Sequence, residues 1–497
     1  MKNILVILSD EQRLDTLGCY GNHKISTPNI DSLAAQGVRF TNCNVTYPLC
    51  CPSRTSLFTG LRPDQHGVME NWRPIIPEEA DGRLIRQFAK QGYTTAYIGK
   101  WHVPGTTPRR MGFSRADAIP AIVNGKDRGR TIPEYRDYLR DKGYAVDDID
   151  LENLVTEESS RLEIPNKAPV ATSRYKKEDY LEFWLLERWK RQMDGIDGPF
   201  FSVCSYVAPH FPMVIPAPYD SMYSPEDVTF PDNFRTGLSG KPDMLFEKHY
   251  YREPLNLSEY EWRRMVAYYW GFCTMVDDIV GEMIDYLKER GFYDDTVICY
   301  STDHGDMMGS HGLWEKGFPM LYEETNRVPL IIKVPDSDIP VVDGLMSMTD
   351  ILPTLATLAG CKLDTTGLDI RSYANSADGR ESRAYHIAEA FELGGGYRTT
   401  GRPGGIPITA SDLRYENDLA AISIKTERYK YILHTHDRDE LYDLQTDPLE
   451  NVNLAGDTAM KEVYIEMQSA LLGAIADNPP FHKFIKDAIT CKINNPT

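Results

Sequence analysis

Two short segments carry most of the side chains that could hold a metal. Asp10 and Glu11 follow the apolar run at residues 4–8, and Asp303 and His304 follow another at 296–301. If both runs are strands ending at one edge of a sheet, three carboxylates and an imidazole meet around one cation. Carboxylates that close without a metal would repel one another and raise each other's pKa. The plainer alternative is that Asp303-His304 is a turn with a capping pair. A third segment, Pro48-Leu49-Cys50-Cys51-Pro52-Ser53-Arg54-Thr55-Ser56-Leu57-Phe58-Thr59-Gly60, sets two thiols side by side. Adjacent cysteines are ordinarily buried apolar residues, so their meaning depends on what surrounds them.

These residues need a frame. Apolar strands at 4–8, 94–98, 200–206, 296–301 and 329–334 alternate with helices. One helix opens at Thr27-Pro28-Asn29 with a Thr cap and closes at Gly37, and another spans 82–91. The longest, 258–290, repeats Met265, Tyr268, Tyr269, Phe272, Met275, Val276 and Ile279 at three- and four-residue steps, which reads as core packing. Alternation of this kind predicts an α/β fold, a mostly parallel sheet with helices on both faces. Ligand sites in such sheets gather beyond the carboxyl ends of the strands. After about residue 375 the pattern changes to strands at 384–390, 419–425 and 428–434 and a helix over 458–474, a small antiparallel sheet with one helix. The division expected is a catalytic domain over 1–375 and an α+β subdomain over 376–497. The glycine-rich stretch 394–405 is a loop that could reach the pocket.

Composition narrows the function. The 497 residues are 41% hydrophobic and 26% charged, ordinary globular usage that excludes a disordered or fibrous protein. Lys and Arg number 54 against 73 Asp and Glu, a net charge of −19 that opposes nucleic-acid or anionic-membrane binding. An anionic substrate would need a local, sheltered positive site. No stretch approaches the roughly 18 apolar residues of a membrane span. The run at 4–8 is too short for a signal peptide, so a cytoplasmic location is expected. The nine cysteines are scattered, with neither a disulfide framework nor zinc spacing.

Cys50-x-Pro52-Ser53-Arg54, followed by Leu57 and Thr59-Gly60, resembles the signature of the type I sulfatases of the alkaline phosphatase superfamily. Further motifs of that family fall in order along nearly the whole chain. They are Ser9-Asp10-Glu11-Gln12, Gly18-Cys19-Tyr20-Gly21, Thr27-Pro28-Asn29-Ile30-Asp31, Gly99-Lys100-Trp101-His102, Pro209-His210, Thr302-Asp303-His304-Gly305, His311 with Lys316-Gly317, and Glu440-Leu441-Tyr442-Asp443-Leu444. The resemblance implies an alkaline-phosphatase-like fold, a large mixed sheet sandwiched by helices with a small C-terminal α+β subdomain.

It also implies a chemistry, the hydrolysis of a sulfate monoester. Cys50, the only one of the pair in register with Pro52 and Arg54, would be converted by a formylglycine-generating enzyme to formylglycine, whose hydrate is the nucleophile. One divalent metal would be held by Asp10, Glu11, Asp303, His304 and residue 50. Calcium is the ion the resemblance implies. Many relatives have Asp and Asn where this chain has Glu11 and His304, and a nitrogen donor suits manganese or zinc better. Arg54 and Lys100 would hold the nucleophile, His102 would act as its base, and His210 and Lys316 would assist the leaving oxygen. Asn71, Trp72, Arg73 and His311 are candidate substrate contacts. Six further histidines, 23, 249, 386, 434, 436 and 482, match no motif and read as surface or structural.

Two other readings compete. Phosphonate monoester or phosphodiester hydrolases share the nucleophile and metal site, and typically carry Tyr or Thr types in place of Lys100 and His102, so these two residues favour the sulfatase while His304 pulls the other way. A non-catalytic sulfoglycan-binding protein would leave Cys50 unconverted. The expected partner is a small sulfated substrate, a mono- or oligosaccharide. Oligomeric state is not readable.

Overall fold

Along the first strand, alternate side chains face opposite ways and all are buried. Leu5 and Ile7 join one apolar cluster, and Ile4, Val6 and Leu8 join a second on the other face. A strand buried on both faces belongs in the middle of a helix-covered sheet. The computed structural model describes residues 1–71, 82–119, 133–144, 170–247, 257–334, 341–374, 382–392 and 419–475. In chain order its strands are β1 (Asn3–Ser9), β2 (Val38–Asn44), β3 (Thr94–Lys100), β4 (Arg115–Ile119), β5 (Ala171–Thr172), β6 (Phe200–Ser205), β7 (Val214–Ile215), β8 (Thr296–Thr302), β9 (Arg327–Lys333), β10 (Val341–Val342), β11 (Met346–Ser347), β12 (His386–Glu392), β13 (Leu419–Lys425), β14 (Tyr429–His434) and β15 (Glu440–Asp443).

The main sheet has nine strands in the order β10-β2-β9-β8-β1-β6-β3-β4, with β11 also paired to β2. Pairings β8-β1, β1-β6, β6-β3 and β3-β4 are parallel, whereas β9 is antiparallel to both β8 and β2. The sheet is therefore mixed, and β2 regains the direction of the central strands. One face packs against α1 (Pro28–Ala35), a helix at Leu181–Asp194 and the long helix Glu259–Glu289. The other packs against α2 (Cys50–Thr59) and helices at Arg83–Lys90 and Ile351–Leu358. No helix among the described residues is long and apolar enough to cross a membrane.

Two local readings need correction. Thr27 does not cap α1, because its hydroxyl turns to the Gly18 amide (2.9 Å) and to Asp31. The cap comes from Asp277 on the long helix, whose carboxylate accepts from the Asn29 and Ile30 amides at 3.1 and 2.8 Å. Gly37 does not serve chiefly to end the helix either. A Cβ there would lie 2.3 Å from the Ile332 carbonyl oxygen, so the position is glycine because β9 passes against it.

The C-terminal sheet is antiparallel in the order β12-β13-β14-β15. Its fourth strand, Glu440–Asp443, was legible only as a motif. Ile387, Ile424, Tyr431 and Leu433 pack on the helix Lys461–Ala474, and Ala388, Ala390, Ile432 and Tyr442 pack on loops of the main domain, including Met307 and Phe318. The expected boundary at 375/376 and the glycine-rich stretch 394–405 lie outside the described residues.

Candidate active site

Because β1, β2, β3, β6 and β8 run the same way, the residues that follow them gather at one edge of the sheet. Asp10 and Glu11 leave β1, Lys100 ends β3, and Asp303 and His304 leave β8, all of them buried. Beyond β2 the chain turns so that Cys50 opens α2. Gly99 makes the approach of β3 possible, since a Cβ there would fall on the Ser205 carbonyl of β6.

Asp10, Cys50, Asp303 and His304 each present one ligand atom, all within 4.8 Å of one another. The Cys50 Sγ lies 3.2 Å from His304 Nε2, 3.7 Å from Lys100 Nζ and 3.8 Å from Asp10 Oδ1. His304 Nδ1 sits 2.9 Å from the Gly305 carbonyl oxygen. An N–H donated there leaves the Nε2 lone pair facing the cluster, as in metal-binding histidines. Two carboxylates and an imidazole around residue 50 fit a divalent cation, with the sulfur marking where an oxygen of the modified residue would stand.

Arg54 is fully buried and spends its guanidinium on this cluster. It donates to Asp303 Oδ2 (2.7 Å), Asp10 Oδ2 (3.0 Å), the Ser205 hydroxyl (2.7 Å) and the Lys100 carbonyl (3.0 Å). It therefore orients the two carboxylates rather than bonding Cys50 itself. Burial alone would raise the Asp303 carboxyl, but Arg54, His304 and Lys100 hold it below the usual carboxylate range. Lys100 pairs with Asp10, and although burial disfavours its charge, Asp10 holds its pKa above the ordinary lysine value. The Cys50 thiol is pushed up to about 12, by burial first and then by Asp10. Such a thiol is a poor nucleophile at neutral pH.

His102 stands apart. It is 5% exposed, its backbone is left-handed (φ 47°), and neither ring nitrogen has a hydrogen-bond partner among the described residues. Burial, then Lys100 and Arg54, depress its pKa well below the ordinary value, so the ring is neutral. Glu11 is the other left-handed residue beside the cluster (φ 63°). Its amide donates to Asp303 Oδ1 at 3.2 Å, while its carboxylate lies 2.5 Å from Lys316 Nζ and 3.3 Å from His210 Nε2. Lys316 Nζ and His210 Nε2 are 3.1 Å apart, and His210 Nδ1 sits 2.6 Å from the Phe211 carbonyl.

Two substrate-contact candidates have other partners. Leu49, at the N-cap of α2, supplies no side-chain cap, and Asn71 Oδ1 fills that role by accepting the Cys51 amide at 3.0 Å. The buried His311 ring faces Asn233, Thr236 and Tyr322. Trp72 and Arg73 lie outside the described residues.

Three supporting residues escaped sequence reasoning. Ser205 ends a buried strand with a hydroxyl aimed at Arg54. Glu182, the one acid in the otherwise apolar-and-aromatic run Leu181–Leu186, accepts the Ala208 amide at 3.2 Å and braces the chain before His210. Tyr269 accepts the Arg13 amide (2.9 Å) and donates to the Glu11 carbonyl (2.6 Å), so the aromatic stripe of the long helix is not core packing alone. Nothing in its spacing marks that position.

Residues 2–361 match the family model described as Sulfatase. The chain is 28% identical over 492 residues to the sulfatase YidJ of Escherichia coli (strain K12), covering 95% of this chain and 86% of that protein. It is 25% identical to the N-acetylglucosamine-6-O-sulfatase of Bacteroides thetaiotaomicron, over 97% of this chain and 87% of the relative. Among solved structures it is similar to the phosphonate monoester hydrolase of Agrobacterium radiobacter, with a TM-score of 0.78, 25% identity and 96% of both chains covered.

Proposed function

The chain belongs to the sulfatase family, and from that premise we propose that it hydrolyses the sulfate monoester of a small sulfated saccharide, with residue 50 acting as formylglycine. The observation that carries this reading is the convergence of Lys100, Asp10 and His304 on the side chain of Cys50. The reaction takes R–O–SO3⁻ and water to the alcohol and inorganic sulfate.

Asp10, Asp303, His304 and the modified residue 50 would hold the divalent ion, which stabilises negative charge on the nucleophile and the sulfuryl group. Calcium is the ion the family resemblance implies, and the imidazole donor is the reason to assay manganese and zinc beside it. Lys100 presents a fixed positive charge to the sulfuryl oxygens. Lys316 and His210 face the leaving oxygen, the His210 ring fixed by the Phe211 carbonyl so that Nε2 meets Lys316. Neutral His102 takes the proton that must leave residue 50 before the aldehyde can re-form. A saccharide alcohol is supported by the relative acting on N-acetylglucosamine 6-sulfate esters, as its name states.

The similarity to a phosphonate monoester hydrolase, together with His304, supports a second reading. The test compares kcat/KM for an aryl sulfate and the matching aryl phosphonate monoester, with protein made alongside a formylglycine-generating enzyme and Cys50→Ala as blank. Preference for sulfate is expected. Preference for the phosphonate would replace the proposal with the second reading.

A further inference from the structure

Glu11 follows Asp10 directly and brings a carboxylate oxygen within 4.8 Å of one of Asp10's, yet it is not among the four donors gathered round residue 50. The left-handed backbone at Glu11 (φ 63°) lets its amide reach Asp303 Oδ1, while Tyr269 fixes its carbonyl from the other side. Main-chain bonds thus anchor the residue to the cation cluster, and its carboxylate is engaged by Lys316 and His210. The carboxylate lies 2.5 Å from Lys316 Nζ and 3.3 Å from His210 Nε2, two groups themselves 3.1 Å apart. Meanwhile Asp10, Cys50, Asp303 and His304 form a four-donor set without it. The three-group set that does include Glu11 joins it to Asp10 and His210 instead.

We propose that Glu11 is a positioning residue for the leaving-group side of the pocket. It clamps the Lys316 ammonium against the His210 imidazole, and the cation is held without its side chain. This rests on the sulfatase reading above. A lysine on a flexible four-carbon stem has many rotamers, and a buried carboxylate at 2.5 Å selects the one that points at His210. A leaving oxygen that arrives beside Lys316 and His210 then meets the Lys316 ammonium already in place. Poor leaving groups need that help most, because more negative charge develops on their oxygen in the transition state.

The test uses the matured full-length enzyme and the variants Glu11→Gln and Glu11→Asp, each checked for an unchanged circular dichroism spectrum. Bound calcium, manganese and zinc per chain are counted by elemental analysis, and kcat/KM is measured over aryl sulfates of graded leaving-group pKa. Glu11→Gln should keep the wild-type metal count. Its kcat/KM should fall by about tenfold or more for the poorest leaving group and by little for 4-nitrophenyl sulfate, steepening the dependence. Glu11→Asp, one methylene shorter, should show the same steepening. Loss of metal from Glu11→Gln with recovery in Glu11→Asp would make Glu11 a ligand and overturn the proposal. An equal loss for every substrate at full metal content would overturn it as well, and so would no loss at all. Wild-type protein that hydrolyses no sulfate ester would instead sink the functional reading, while the metal count would still decide whether Glu11 is a ligand.

Discussion

Two of the buried charge clusters among the described residues are built differently. In the pocket at the carboxyl edge of the main sheet, the His102 ring has no hydrogen-bond partner among the described residues, and the Asp10, Asp303 and His304 ligand atoms crowd one another around residue 50. In the seam where the C-terminal sheet meets the main domain, the charges find partners within the protein. Lys425 Nζ meets Asn42, Asn44 and both oxygens of Glu323 at 2.7–2.9 Å, and Lys430 bridges Glu323 and Glu450 at 3.2 and 2.8 Å. Glu440 accepts from Tyr322 and sits 2.8 Å from His434 Nε2. The difference teaches that buried charge alone does not mark a reactive site. The seam's charged pairs tie one sheet to the other domain, whereas the pocket's pairs, Lys100 with Asp10 and Arg54 with Asp10 and Asp303, surround the side chain of residue 50.

That contrast can be broken from either side. Lys425→Met strips the seam of a cation that four oxygens share, leaving Glu323 buried with fewer counter-charges. The expected cost is about 3–5 kcal/mol in denaturant unfolding, with kcat/KM of the folded enzyme little changed. Similar stability to wild type would show that the seam is not held by its charges. Acid probes the same seam. Burial alone would raise the Glu440 carboxyl, but hydrogen bonding from His434 and the charge of Lys241 bring it down to about 2 from 4.5. A carboxyl depressed on folding stabilises the fold above its unfolded pKa, and that stability is lost as pH falls from 4.5 towards 2. The Glu440→Gln variant should therefore lose less stability than wild type over that window, a difference of about 3 kcal/mol in full. Parallel curves would contradict the assignment.

The pocket should respond the opposite way. His102→Phe removes two buried, unpartnered nitrogens, so thermal stability should rise, by about 1–2 kcal/mol, while kcat falls by about a hundredfold or more. A drop in stability would mean that the ring has structural partners. The smallest effect is expected at Asn71→Ala, which uncaps α2 and should cost about 1 kcal/mol of stability. An unchanged melting temperature would remove Asn71 from the helix cap.

The sequence reached the pocket further than it reached the seam, for a physical reason. Residues that follow the ends of parallel strands gather at one edge of a sheet, so the meeting of Asp10, Lys100, Asp303 and His304 could be anticipated from apolar runs and short motifs alone. The Glu440-Leu441-Tyr442-Asp443 motif was visible, but not that it is a buried strand tying His434 and Tyr322 together, because those contacts join residues 6 and 118 positions apart. Asn71 and His311 were legible as polar residues near the motifs, whereas the direction of a side chain depends on tertiary packing. Tyr269 belongs to a helix stripe in which its hydroxyl leaves no trace in the spacing. The cap of α1 was misplaced for the same reason, since Asp277 reaches it from nearly 250 residues away.

The central claim is that residue 50 does the chemistry in converted form. Protein made with increasing amounts of a formylglycine-generating enzyme gives graded conversion, read as the aldehyde fraction of the residue-50 peptide by mass spectrometry. Sulfate-ester turnover measured on the same samples should rise in proportion to that fraction and vanish in Cys50→Ala. Full turnover by protein whose residue 50 is entirely thiol would contradict the account.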